Sequence, residues 1–157
     1  MRNKLNDTEY KELKLAYARI AALVGGADGE FDQNEQDWAQ KIVSIRSFSG
    51  NEDLFPFHAE VKDEIADDIE QVMNGLSGSM EEIQQKLSND LSGLNQILSK
   101  LDTFTSYNLY KGYISFAKHI AKASGGLFRF FSISSQESKW LDLNMITPIE
   151  EPAEEEE

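Results

Sequence analysis

Apolar side chains recur along this chain at intervals of three and four. Leu13, Tyr17, Ile20 and Val24 fall on one such stripe, the spacing of a single helix face. It predicts a first helix from Asp7 to about Val24, capped by Asp7 or Thr8. A second helix is expected from Gln33 to about Arg46, burying Trp38, Ile42 and Ile45. A third starts near Phe57, just after Pro56, with Val61, Ile65, Ile69, Val72 and Met73 as its stripe. The fourth runs from Met80 to Leu101, where Ile83, Leu87, Leu91, Leu94, Leu98 and Leu101 make a heptad-like seam. One seam of this length fits the inner face of a bundle better than a dimeric coil, which sustains more heptads. A fifth helix is expected from Tyr107 to about Ala123, carrying Tyr110, Ile114, Ala117 and Ala121. A sixth, from Gln136 to about Met145, carries Trp140 and Leu141. Convincing strand alternation is absent: FRFFSI reads as extended for a few residues, with no partner strand.

Glycines at 25, 26 and 29, at 75 and 78, and at 125 and 126 punctuate these segments. The first and last helical pairs echo each other. YARIAALVGGADGEFDQNEQDW and YISFAKHIAKASGGLFRFFSISSQESKW each run from a Tyr through alanines and a glycine turn to Glu-x-x-Trp. The expected architecture is all-α: a single-domain bundle of about six helices built around a repeated helical hairpin. The domain is expected over 1–147. Residues 148–157 are acidic and proline-bearing, and read as a disordered tail.

Charge narrows the function classes. The 157 residues carry a formal net charge of −13, and the last eight, EEPAEEEE, hold six glutamates. The body stays acidic without them. That field disfavours nucleic-acid phosphate and suits divalent cations or basic protein surfaces. There is no cysteine, which removes disulfides, thiolate metal sites and a thiol nucleophile together. The opening residues lack the apolar core of a secretion signal, and no apolar run approaches the roughly 20 residues of a membrane span. A cytoplasmic protein with a protein partner is the expectation.

The most specific stretch is ADGEFDQNE, residues 27–35, with four carboxylates: Asp28, Glu30, Asp32 and Glu35. Two readings stay open. In one it is a capped turn. Asp32 and Glu35 stand three apart, as in a capping box, and the second hairpin repeats the spacing with Ser134 and Glu137. Gly29 tolerates a positive φ, and Asp28 suits an Asx turn. In the other, clustered carboxylates bind a hard cation such as Ca²⁺ or Mg²⁺. The loop is not an EF-hand, since it lacks the alternating acidic positions and the closing glutamate. Its carboxylates also face the favourable dipole of the following helix, which competes with a cation.

ADGEFDQNE, preceded by the alanine-rich ARIAALVGG, resembles the signature of the TerB-like (tellurite resistance TerB) family. The resemblance spans Ala16 to about Ile45 well and Tyr113 to Trp140 loosely; in the second copy, ASGG places Ser124 where an Asp is expected. It implies an all-helical, non-enzymatic bacterial protein tied to stress responses, tellurite resistance or phage defence. It also implies divalent-ion binding, which motif matching assigns to Asp28, Asp32 and Glu35.

Other candidates carry blander readings. His58 near a helix start and His119 among polar neighbours are expected at the surface or its boundary. Asp67, Asp68 and Glu70 read as a solvated face. In GGLFRFFSI, the residues Leu127, Phe128, Phe130 and Phe131 either close one end of the core or form an apolar patch for a partner. No GxSxG, HExxH or phosphate-loop motif occurs. A hydrolase using a carboxylate-held metal is the alternative from another class, since an open coordination position in a pocket would suffice. A structural helical adaptor with no ion is the third.

Overall fold

The computed structural model describes residues 1–25, 33–123 and 140–153. Its described regular structure is helical throughout. The α-helices are α1 (Asp7–Gly25), α2 (Gln33–Arg46), α3 (Phe55–Asn74), α4 (Met80–Ser92), α5 (Leu94–Leu98) and α6 (Thr103–Ala123), with short 3₁₀ turns at Arg2–Lys4 and Glu52–Leu54. Five of the helices are long, and α5 has five residues.

α1 is the hub. It packs against α3, α4, α5 and α6, while α2 lies across α3 and α6. The hub role follows from its composition. Leu13, Tyr17, Ile20 and Val24 are buried as their spacing predicts, and Ala16, Ala18, Ala21 and Ala22 are fully buried beside them. Small side chains on several faces let neighbouring helices approach from more than one side. α1 is capped not by Asp7 or Thr8 but by Asn6. The Asn6 side chain accepts from the Glu9 amide at 2.8 Å, and Glu9 accepts from the Asn6 amide at 3.0 Å, a reciprocal capping box.

Val61, Ile65 and Ile69 of α3 are buried as expected. The fourth helix differs from its prediction. The leucine seam is real, with Leu87, Leu91, Leu94, Leu98 and Leu101 all in the core, so it serves the inside of the bundle. The helix nonetheless breaks at Gly93 between α4 and α5. Glycine is a poor helix former, and the Ser92 hydroxyl next to it bonds the Asn89 carbonyl at 2.6 Å, competing locally with the backbone ladder.

α6 begins four residues earlier than the sequence predicts. Asp102 caps it by accepting from the Thr105 amide at 3.0 Å and the Thr105 hydroxyl at 2.8 Å. Its core stripe is Leu109, Tyr113, Phe116 and Ile120, with Ala117 and Ala121. Tyr110 and Ile114, expected inside, lie half-buried on the flank. The expected sixth helix falls partly on 136–139, outside the described residues. Trp140 and Leu141 are helical, and the chain then turns. Leu143 takes a φ of +48° while fully buried; packing holds a conformation a leucine otherwise avoids. Asn95 anchors this segment, donating to the Met145 carbonyl at 3.0 Å and accepting from the Thr147 amide at 2.8 Å. Ile149 packs against the core, and the chain beyond it to Ala153 is irregular. No described helix is long and apolar enough to cross a membrane.

Candidate functional site

Three features compete for the role of site: the acidic loop, a buried polar relay and the outer face of α2.

Asp28 and Asp32 lie outside the described residues, as does the turn of the second hairpin with Ser124, Ser134, Glu137 and the 127–131 aromatics. Glu35 sits half-buried in the first turn of α2, where a carboxylate meets the positive end of the helix dipole. One described carboxylate is a single ligand, against the roughly six to eight oxygens that Ca²⁺ takes. Among the described residues no group of three or more acids and histidines is placed to hold a metal. Of the acids on α3, Asp67 and Glu70 are exposed. Asp68 is half-buried, and its carboxyl is pushed up by burial and by the neighbouring Glu64 charge.

His58 is not at the surface. It is buried, as is Tyr17 beneath it. The Tyr17 hydroxyl lies 2.9 Å from His58 Nε2 and 3.2 Å from Arg46 Nη1. A guanidinium only donates. Tyr17 therefore accepts from Arg46, and its hydroxyl shares a hydrogen bond with His58 Nε2 whose direction follows the imidazole tautomer. Burial, with the Arg46 charge behind it, pushes His58 down to about 4. The nearby Leu54 backbone draws weakly the other way, but buried Nδ1 makes no hydrogen bond of good geometry. Around the relay, Tyr17 meets Phe116 edge-on at 4.9 Å and Tyr113 at 5.1 Å. Tyr113 donates to the Leu13 carbonyl at 2.8 Å. Burial raises both phenols, so they stay protonated.

Arg46 closes the cluster. Besides Tyr17 it donates to the Gly112 carbonyl at 2.8 Å and to Ser115 Oγ at 3.1 Å. A Cβ at Gly112 would stand 3.5 Å from both Arg46 Nη1 and the Tyr17 hydroxyl, an ordinary contact that the cluster would tolerate. The relay thus ties α1, α2, α3 and α6 together with every hydroxyl and guanidinium contact directed at the fold. Chemically it is a clasp: a neutral imidazole shut behind aromatic rings has no route to a substrate. The sequence did hold a signal for His58, which continues the Val61–Ile65–Ile69 spacing back by three. Arg46 had none, because its partners lie on α1 and α6.

The third feature reverses an expectation. Of Trp38, Ile42 and Ile45, only Ile42 is buried; Trp38 and Ile45 are exposed, and Phe48 just past the helix is 67 % exposed. α2 turns inward the face of Ala39, Ile42 and Val43, in line with Arg46. Trp38 and Ile45, seven apart, share the outer side, where Lys41 Nζ sits 5.4 Å from the Trp38 ring centre.

With this geometry in place, comparison with known proteins adds no name: no family model, no curated protein and no solved structure matches the chain.

Proposed function

We propose that this chain is a non-catalytic, TerB-like interaction module that presents the outer face of α2 to a protein partner. The observation that carries the reading is the exposure of Trp38, Ile45 and Phe48 together on one element. Single exposed apolar residues are ordinary, but three large ones grouped on one helix and its exit form a contact surface. Aromatic residues of this kind anchor protein interfaces. The acidic 27–35 stretch leads directly into α2. Under the same proposal a divalent cation held by Asp28, Asp32 and Glu35 would fix how that face is offered, in keeping with the stress-response role the family resemblance implies. The buried relay supports the non-catalytic part, since its titratable group is spent on holding helices together.

Site-specific photo-cross-linking tests the surface. A cross-linker at position 48 should give a discrete product in cells that is absent when it stands at position 104, where Phe104 is also exposed but lies elsewhere. The product should vanish with Trp38→Ala. Equal labelling from both positions would sink the proposal. Calorimetric titration of Ca²⁺, Mg²⁺ and Mn²⁺ into the full chain, beside Asp28→Asn/Asp32→Asn, tests the ion. Because the glutamate tail is common to both, a saturable difference between them reports the loop alone.

A further inference from the structure

Carboxylates are spread through most of this chain, yet none occurs between Thr103 and Gln136, a stretch that carries Lys111, Lys118, Lys122, His119 and Arg129. Most of that acid-free stretch is α6, and its outer side forms a groove of about 330 Å³ lined by Tyr110, Lys111, Ile114, Ser115, Lys118, His119 and Lys122. Lys118 and Lys122 are one helical turn apart and Lys111 lies two turns before Lys118, so the three side chains leave the helix on one side, with Lys111 Nζ 5.3 Å from the Tyr107 ring centre. Among the described residues none of them forms an ion pair.

A second observation comes from beneath the groove. Arg46 is half-buried, and its hydrogen bonds go to Tyr17, Gly112 and Ser115, all uncharged. No described carboxylate pairs with it. A partly desolvated guanidinium without a counter-charge is costly. Its field reaches the groove: partial burial, followed by the Arg46 and then the Lys122 charge, holds the His119 imidazole down. Ser115 connects the two levels. Its Oγ accepts from Arg46 at 3.1 Å, which leaves its own proton to donate.

We propose that the α6 groove binds a compact phosphate-bearing anion, held by Lys111, Lys118 and Lys122, with the Ser115 hydroxyl as donor and Arg46 as the charge below. The chemistry favours phosphate over a single carboxylate, because several cationic side chains line one groove where one negative charge would be over-matched. The Ile114 side chain and Tyr110 ring add an apolar wall suited to an organic phosphate ester. A small ligand fits better than a nucleic acid, because a net charge of −13 repels a long polyanion while leaving a local cationic groove effective over a few ångströms. The phosphate is either free in solution or the headgroup of an anionic lipid.

The two histidines make the test direct, since His58 is sealed and His119 lines the groove. The full chain is titrated with pyrophosphate at constant ionic strength while both imidazole resonances are followed by NMR. Binding should saturate, shift His119 more than His58, and raise the apparent pKa of His119, because a bound anion favours the imidazolium. Lys118→Gln/Lys122→Gln should weaken the response at least tenfold with an unchanged helical circular dichroism spectrum. Failure of free pyrophosphate, combined with sedimentation on vesicles containing an anionic phospholipid that the same variant abolishes, would place the phosphate on a lipid. A non-saturating shift matched by chloride, or an undiminished response in the variant, overturns the proposal, as does silence in both arms.

Discussion

α1 and α2 are consecutive in sequence, linked by the acidic 26–32 stretch, and they use apolar residues in opposite ways. α1 buries eleven of its nineteen residues, so each apolar side chain on it is explained by the fold. α2 buries three of fourteen, and its largest apolar side chains stand outside. The difference teaches that hydrophobicity within this bundle carries two meanings. On α1 it is structural, because four helices cover it. On α2 it is surplus to the core, and the surplus is where a partner is to be sought.

The largest expected effect sharpens the α1 side. Tyr17→Ala removes a fully buried ring together with the hydroxyl that Arg46 and His58 share. It should cost about 3–5 kcal/mol, read as a drop in the urea midpoint at unchanged m-value. A cost below about 1 kcal/mol would mean that the clasp is not what joins α1 to α3 and α6. The next effect is pH-dependent. His58 titrates near 6.5 in the unfolded chain and near 4 in the folded one. Between those values the unfolded state binds a proton that the native state refuses, so stability falls as pH drops from about 6.5 to 4 and this contribution levels off below. The window is worth up to about 3 kcal/mol. Carboxylates titrate in the same range, so the measurement is the difference in pH slope between wild type and His58→Gln; parallel curves would show that His58 titrates alike in the folded and unfolded chain. The smallest effect belongs to α2. Ile45→Ser should change stability by no more than about 0.5 kcal/mol while abolishing the cross-link from position 48. A large stability loss would make that face part of the core and erase the contrast.

The sequence made the helices legible wherever one face alone is apolar, as on α3, where the stripe from Val61 to Ile69 holds. The acid-free run of α6 was equally open to reading and carried a surface property the periodicity could not. Residues went astray where two stripes compete. On α2, Trp38 and Ile45 outweigh Ala39 and Val43 in hydrophobicity, yet the smaller pair faces inward, because close helix approach at α3 and α6 rewards small side chains and Arg46 must reach α6. α1 starts at Asp7 as expected, but its cap is Asn6, and the start of α6 shifted because Asp102 offered a cap upstream of the apolar pattern. The relay was illegible for a different reason. Tyr17, Arg46 and His58 are brought together by three helices, and no local spacing encodes that meeting. Asp28 and Asp32 keep the standing that the family resemblance assigned them, since the described structure reaches only Glu35 of that set.

The hydrogen bond from Tyr113 to the Leu13 carbonyl spans 100 positions of sequence, and this has a consequence for synthesis. The ribosome delivers α1 first and α6, which must cover it, last among the long helices. During most of translation the alanine-lined flank of α1 has no lid, and only α3, α4 and the short α5 arrive early enough to shelter part of it. Folding of this chain is therefore tied to the completion of its far half. Stalling before Tyr113 emerges would leave a sticky, half-dressed helix, a natural target for holding chaperones on the nascent chain.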